Sequence, residues 1–241
     1  IHSISEVPGN SGLGSSGAFT VGVLSLLNSL KNKDLTKKEI AELACKIEIN
    51  ELNKSSGKQD QYIATYGGIR SFKINQNGDV DVINLNITDA DQKRMVNNLF
   101  IYYSGIRRDS DIVLQDQAKK IVSNIKIQDC MHEIQEIAYQ SRESIESGDL
   151  DKYGLLLDKH WKIKKRISNK MSDDLIDDIY NHAIKSGALG GKIMGAGGGG
   201  FFIFYVPEER HLSFRNKIKT LNLKQLNWNF DYDGVIQIYS S

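Results

Sequence analysis

Pro8-Gly9-Asn10-Ser11-Gly12-Leu13-Gly14-Ser15-Ser16-Gly17-Ala18 is the stretch on which the reading of this chain turns. It leads from residues 1–7, which read as the end of a strand, straight into a helical pattern over 15–31. The first N–H groups of a helix have no partner within it, and with the helix dipole they favour an anion. Gly12 and Gly14 would let the backbone come close to phosphate oxygens, while Ser15 and Ser16 offer hydroxyls for capping, for phosphate or for a metal. The plainer alternative is a tight strand-to-helix turn with a serine cap. Gly12-x-Gly14-x-x-Gly17 also spells a dinucleotide-binding turn, but that turn needs a second parallel strand after its helix. Here Thr36-Lys37-Lys38-Glu39, a capping box, announces another helix instead. A Walker A loop would need a lysine after its glycines, and none stands there.

The rest of the chain reads outward from this loop. The 15–31 helix carries Val21, Val23, Leu24, Leu26, Leu27 and Leu30 on most of its sides and is expected to be buried. The capped helix runs to about Leu52, and a short helix over Gln59–Tyr66 ends at Gly67-Gly68. Residues 69–75 and 80–85, joined by Asn77-Gly78, read as a hairpin. A strand over 99–103 precedes helices over about 110–126, 128–147, 149–167 and 173–186, with Gly148 and Gly187 as stops. Strands over 191–194, 201–206, 223–229 and 234–239 and a helix near 208–220 complete the pattern. Strands and helices mix without regular alternation, so the expected class is α+β, with a boundary near residues 86–91.

The composition narrows the function classes. The 241 residues carry a net charge of +1, which gives no electrostatic case for nucleic acid as a partner. No run of 18 apolar residues exists, so a transmembrane helix is not expected. Cys45 and Cys130 form neither a disulfide framework nor a zinc spacing and suit a reducing cytoplasm. The chain opens Ile1-His2-Ser3-Ile4 without Met or signal peptide, and a preceding segment is expected. Of 21 glycines, five lie in 9–22 and eight in 187–200, which marks two places of close backbone approach. The second, Gly190 to Gly200, runs into Phe201-Phe202-Ile203-Phe204-Tyr205, unlike a flexible linker.

Between the two clusters, Asp60 opens a helix after Gly57-Lys58-Gln59. A carboxylate there can orient a hydroxyl nucleophile or take its proton, although a dipole-favoured helix-start Asp reads the same. Glu48 on the preceding helix could hold Mg²⁺ with a loop serine, with Glu51 competing for that role. Arg107-Arg108 at a strand end could grip a phosphate, or be a solvated pair. The five histidines are scattered and suggest no transition-metal site.

Taken together, these segments resemble the GHMP small-molecule kinases. The family's phosphate loop is similar to Pro8–Ala18, with Gly17 where Ala or Ser is more usual, and its late glycine motif is similar to Lys192–Gly200. Gly57-Lys58-Gln59-Asp60-Gln61-Tyr62 with Tyr66-Gly67-Gly68 resembles the catalytic stretch of the members that act on heptose 7-phosphate. Tyr103-Ser104-Gly105-Ile106-Arg107-Arg108 resembles their Thr-Gly-Ile-x-Arg segment, with Ser104 replacing Thr.

The resemblance implies a two-domain α+β GHMP kinase fold, truncated at its N-terminal part because the family's N-terminal substrate motif has no match here. Residues 1–88 would be the remainder of an ATP-binding domain and 89–241 the C-terminal domain. It implies ATP held by Pro8, Gly9, Ser11, Gly12, Leu13, Gly14, Ser15 and Ser16, Mg²⁺ held by Ser15 and Glu48, and Asp60 as the catalytic carboxylate. Gln61, Arg108, Lys192, Gly197 and Gly198 would meet the acceptor, and the late glycine loop would pack against the phosphate loop. The implied reaction is ATP- and Mg²⁺-dependent phosphorylation of the C1 hydroxyl of a sugar phosphate, heptose 7-phosphate. The alternatives are a fucokinase-like sugar 1-kinase and a sugar- and ATP-binding sensor without turnover. The implied partner is a small sugar phosphate, with neither nucleic acid nor membrane involved and room for a homodimer.

Overall fold

The computed structural model describes residues 2–9, 11–107 and 110–238. The chain forms two compact units: Ile1–Gly9, Gly14–Leu85 and Phe230–Ser241 make the first, and Asn10–Leu13 with Asn86–Asn229 make the second.

In the first unit, α1 (Ser15–Leu30) is followed by α2 (Lys37–Cys45). The capping box forms as the sequence predicts: the Glu39 N–H donates to Thr36 Oγ1 at 3.2 Å and the Thr36 N–H to Glu39 Oε2 at 2.8 Å. α2 does not run on as an α-helix but passes into a π-helical turn, Lys46–Glu51, before α3 (Gln59–Tyr66). Strands β1 (Arg70–Ile74) and β2 (Val80–Asn84) pair antiparallel, with Phe72 opposite Val82. Ala41, Cys45, Tyr62 and Val80 form one buried cluster, and Val21, Ile40 and Ala44 another.

Two expectations fail in this unit. Only Gly17 and Val21 of α1 are buried, whereas Phe19, Leu26, Leu27 and Leu30 are exposed. α1 packs on α2 and α3, which leaves these four side chains exposed. Nor do the described parts of 1–7 and 234–239 form strands: among the described residues the sheet of this unit is the β1–β2 hairpin, and neither segment pairs with its edges. Residues 231–237 are tied down instead by single hydrogen bonds, among them Gly68 N–H to Asp231 O at 2.6 Å and Lys37 Nζ to Asp233 O at 2.8 Å.

The second unit contains α4 (Asp89–Asn98), capped by Thr88, and then β3 (Leu99–Tyr103). α5 (Ser110–Ser123), α6 (Ile125–Glu146), α7 (Leu150–Ile167) and α8 (Asp174–Ser186) follow. β4 (Gly190–Ile193), β5 (Phe201–Tyr205), α9 (His211–Ile218) and β6 (Lys224–Leu226) close it. The strands form one antiparallel sheet in the order β4-β5-β3-β6, so the class is α+β. Phe100, Tyr102, Phe202, Phe204 and Phe214 of the sheet and α9 pack with Trp161 and Ile176 in its core. Among the described residues, no helix is long and apolar enough to cross a membrane.

Candidate active site

The phosphate-loop end of the first unit is built around a bare helix start. Gly14 stands at the N-cap of α1 in a left-handed conformation (φ 71°), and no side chain caps the helix, so the serine-capped turn that the sequence left open does not form. A glycine cap has no side-chain oxygen to offer, so the first-turn N–H groups stay available to an anion. Asp60, in the first turn of α3, lies against this turn: a Cβ on Gly14 would fall 3.3 Å from its carboxyl carbon. Burial above all holds the Asp60 carboxyl above its ordinary range; a hydrogen bond from Gln59 opposes this and the charge of Glu48 adds to it.

Glu48 sits in the π-helical turn and is only 2% exposed. Among the described residues no cation pairs with it. Its carboxylate instead accepts hydrogen bonds from Ser16 Oγ and, at 2.5 Å, from Gln61 Nε2. The hydroxyl brought to Glu48 is therefore that of Ser16, where Ser15 was expected. Gln61 is buried, and its Oε1 has no hydrogen-bond partner. It braces Glu48 rather than lining an acceptor surface. Lys58 is also structural, bound to Glu42 Oε2 and Gly78 O at 2.8 and 2.7 Å.

A buried carboxylate, a hydroxyl and an unpartnered amide oxygen are hard oxygen donors, which fits Mg²⁺. Among the described residues no three His, Cys, Asp or Glu side chains converge on a metal. A cation here would complete its shell with phosphate and water oxygens, as Mg²⁺ does in phosphoryl-transfer sites.

The second unit holds the remainder of the loop. Gly12 has a positive φ of 78°, and a Cβ on it would lie 2.7 Å from Met194 O, so the loop and the late glycine run touch through backbone. Gly200, at φ 90°, meets Ser11 O in the same way, and its N–H donates to Ile106 O at 2.9 Å. Ser11 is buried with its Oγ unpartnered. By contrast, a Cβ on Gly9, which follows Pro8, would meet nothing within 4 Å. Leu13 is partly buried. Gly197 and Gly198 are buried, Gly197 lies against Met171, and the Gly198 N–H is spent on Met171 O at 2.8 Å, so Gly198 presents no free N–H to an acceptor. Lys192 of β4 lies beside His160 and Lys164 of α7, two residues that motif reading did not single out. Their spacing of four on one helix was the available signal. Arg108 lies outside the described residues.

A bare helix start, an adjacent carboxylate and a second, oxygen-rich carboxylate site suit phosphoryl transfer. Family comparison agrees: residues 1–68 match the GHMP kinases N terminal domain and residues 141–220 the GHMP kinases C terminal domain. The chain belongs to the GHMP kinases, and it is a phosphotransferase. It is 34% identical over 98% of its length to D-glycero-alpha-D-manno-heptose 7-phosphate kinase of Campylobacter jejuni, of which it covers 69%. It is also similar to mevalonate kinase of Methanocaldococcus jannaschii, at 27% identity over 90% of this chain and 64% of that one. Its fold matches the crystal structure of a D-glycero-D-manno-heptose 1-phosphate kinase from Bacteroides thetaiotaomicron with a TM-score of 0.76 and 26% identity, covering 98% of this chain and 67% of the other. The chain thus spans about two thirds of the length of these relatives.

Proposed function

We propose that this chain carries the catalytic machinery of an ATP- and Mg²⁺-dependent kinase that phosphorylates the C1 hydroxyl of heptose 7-phosphate. The observation that carries the reading is the seat of Asp60. Its carboxyl is pressed against the Gly14 turn at a bare helix start, and burial brings its basicity closer to neutrality. A general base works best when its pKa approaches the operating pH. The choice of acceptor is supported by the relatives named for heptose phosphates.

In this reading the N–H groups at Ser15, Ser16 and Gly17 bind the polyphosphate and stabilise charge on the transferring group. Ser16 and Glu48 would hold Mg²⁺, which when bound neutralises charge on the nucleotide's phosphates. Asp60 orients the C1 hydroxyl and takes its proton as the oxygen attacks the γ-phosphorus. The bond from that phosphorus to the bridging oxygen breaks, and ADP leaves with the electron pair. Residues 1–88 are assigned to ATP handling and 89–241 to the C-terminal kinase domain, with 11–13 and the tail crossing that simple division of the chain.

The test is Asp60→Asn, assayed for ADP release with heptose 7-phosphate. Turnover should fall about 100-fold or more, while affinity for a non-hydrolysable ATP analogue stays within about twofold. Turnover at the wild-type rate would remove Asp60 from the mechanism.

A further inference from the structure

Within the second unit, α7 and β4 meet at backbone distance. A Cβ on Gly190 would lie 2.1 Å from Gly154 O and 2.7 Å from Asp158 N. Side chains alternate along a strand, so Lys192, two residues beyond Gly190, shares the face of β4 that is turned to α7. His160 and Lys164 stand four apart on α7 and so share one face of that helix. The charge of Lys192 is felt at both of them. Among the described residues, no ion pair joins Lys164 or Lys192 to a carboxylate. Lys164 Nζ donates to Gly195 O at 2.5 Å. Gly195 in turn packs on Gly12, where a Cβ on Gly195 would come within 2.7 Å of the Gly12 Cα, so Lys164 is linked through Gly195 to the Ser11–Leu13 segment.

Two ammonium groups kept together without a counter-ion repel each other and lose hydration. Burial, with Lys192 adding to it, pushes Lys164 down to about 7, and burial lowers Lys192 as well. Burial and the two lysines push His160 down to about 3, so its ring is neutral, and its buried Nδ1 has no hydrogen-bond partner. The cluster thus offers positive charge with no carboxylate paired to it among the described residues, which is what an anion site requires.

We propose that Lys164, Lys192 and His160 form the subsite for the phosphate-monoester group of the acceptor, the phosphate that is not transferred. This rests on the reading of the acceptor as a sugar phosphate. The alternative source of the same chemistry is the polyphosphate of the nucleotide. That group already has the bare start of α1 to meet it, whereas a second phosphate needs countercharge of its own, and lysines supply it as point charges.

The test is calorimetric binding to the full chain with four probes: heptose 7-phosphate, the same heptose without phosphate, a non-hydrolysable ATP analogue, and inorganic phosphate titrated with the ATP analogue present. Lys164→Gln and Lys192→Gln should each weaken heptose 7-phosphate and inorganic phosphate about tenfold or more. Free heptose and the ATP analogue should stay within about twofold, and Lys164→Arg should retain phosphate binding. Thermal unfolding of each unliganded variant checks that it folds. Parallel loss of the ATP analogue would assign the cluster to the nucleotide, and unchanged phosphate binding in both glutamine variants would remove its anion role; either overturns the proposal. If wild type binds mannose 6-phosphate and inorganic phosphate in a Lys164-dependent way but not heptose 7-phosphate, the heptose reading falls and the subsite stands.

Discussion

Asp60 is held where a carboxylate is uncomfortable, and that discomfort has a thermodynamic signature. Its folded-state pKa lies above the ordinary 3.8, chiefly through burial. In that window the native state binds more protons than the unfolded chain, so stability is lost as pH rises through it. Asparagine cannot ionise. Asp60→Asn should therefore unfold at a higher temperature than wild type near pH 7, and the gain should shrink towards zero as pH falls below 3.8. Thermal melts across that range test it, and a variant less stable than wild type at neutral pH would show that the site does not strain the carboxylate. The residue that gains stability is then the one that loses turnover, as expected of a group kept for chemistry rather than for folding. Asp60 and Glu48 could be singled out from the sequence as candidates because both stand beside the polar loop 53–58, and the structure places them at the start of α3 and in the π-helical turn. The choice between Ser15 and Ser16 was not legible. It depends on where the α1 backbone begins to turn, and the left-handed Gly14 sets that rotation.

At the scale of elements, most helices could be read because their ends are written in the chain. Asp149 and Asp173 accept hydrogen bonds at the starts of α7 and α8, and Gly187 ends α8; the cap at Asn124 was missed, so the reading ran α5 about three residues too far. The hairpin was announced by Asn77-Gly78. The burial of α1 was misjudged because periodicity reports how apolar a face is, not whether an element packs on it. The π-helical turn carries no sequence mark at all, yet it positions Glu48. α1 and α3 approach each other through Gly17, where a Cβ would lie 3.0 Å from Asp60 Cβ and 3.1 Å from Gln61 N. Gly17→Ala should gain up to about 1 kcal/mol of helix propensity and spend it in shifting the first turn of α3 by a few tenths of an ångström. Folding stability should change little. The turnover number should fall about tenfold, because misplacement of a reacting group costs rate steeply, with KM for ATP nearly unchanged. Wild-type kinetics in this variant would show that the α1–α3 contact does not set the position of Asp60.

At the scale of the whole molecule, the end of the chain returns to the first unit. The Asp231 carbonyl takes the Gly68 N–H, the Asp233 carbonyl takes Lys37 Nζ, and Gln237 Oε1 accepts from Ser29 Oγ at 2.6 Å. Val235 packs with Val21, Ile40 and Ala44. A Cβ on Gly67 would come within 2.4 Å of Gly234 N, so the tail crosses directly over the C-terminal end of α3, the helix that opens with Asp60. Three hydrogen bonds at about 1 kcal/mol each and a partly buried valine at about 1 kcal/mol make this clasp comparable to a sizeable share of a domain's stability. Deleting 230–241 should therefore loosen the first unit selectively. Hydrogen exchange in α2 and α3 should accelerate by about 100-fold or more, while β3, β4 and β5 keep their protection. Equal acceleration in both units would mean that they open as one cooperative body, and unchanged exchange in α2 and α3 would mean that the tail only lies on them. Because the clasp closes on the helix that bears Asp60, the proposed base, turnover should fall with the exchange protection of α3 and recover with it when the tail is restored.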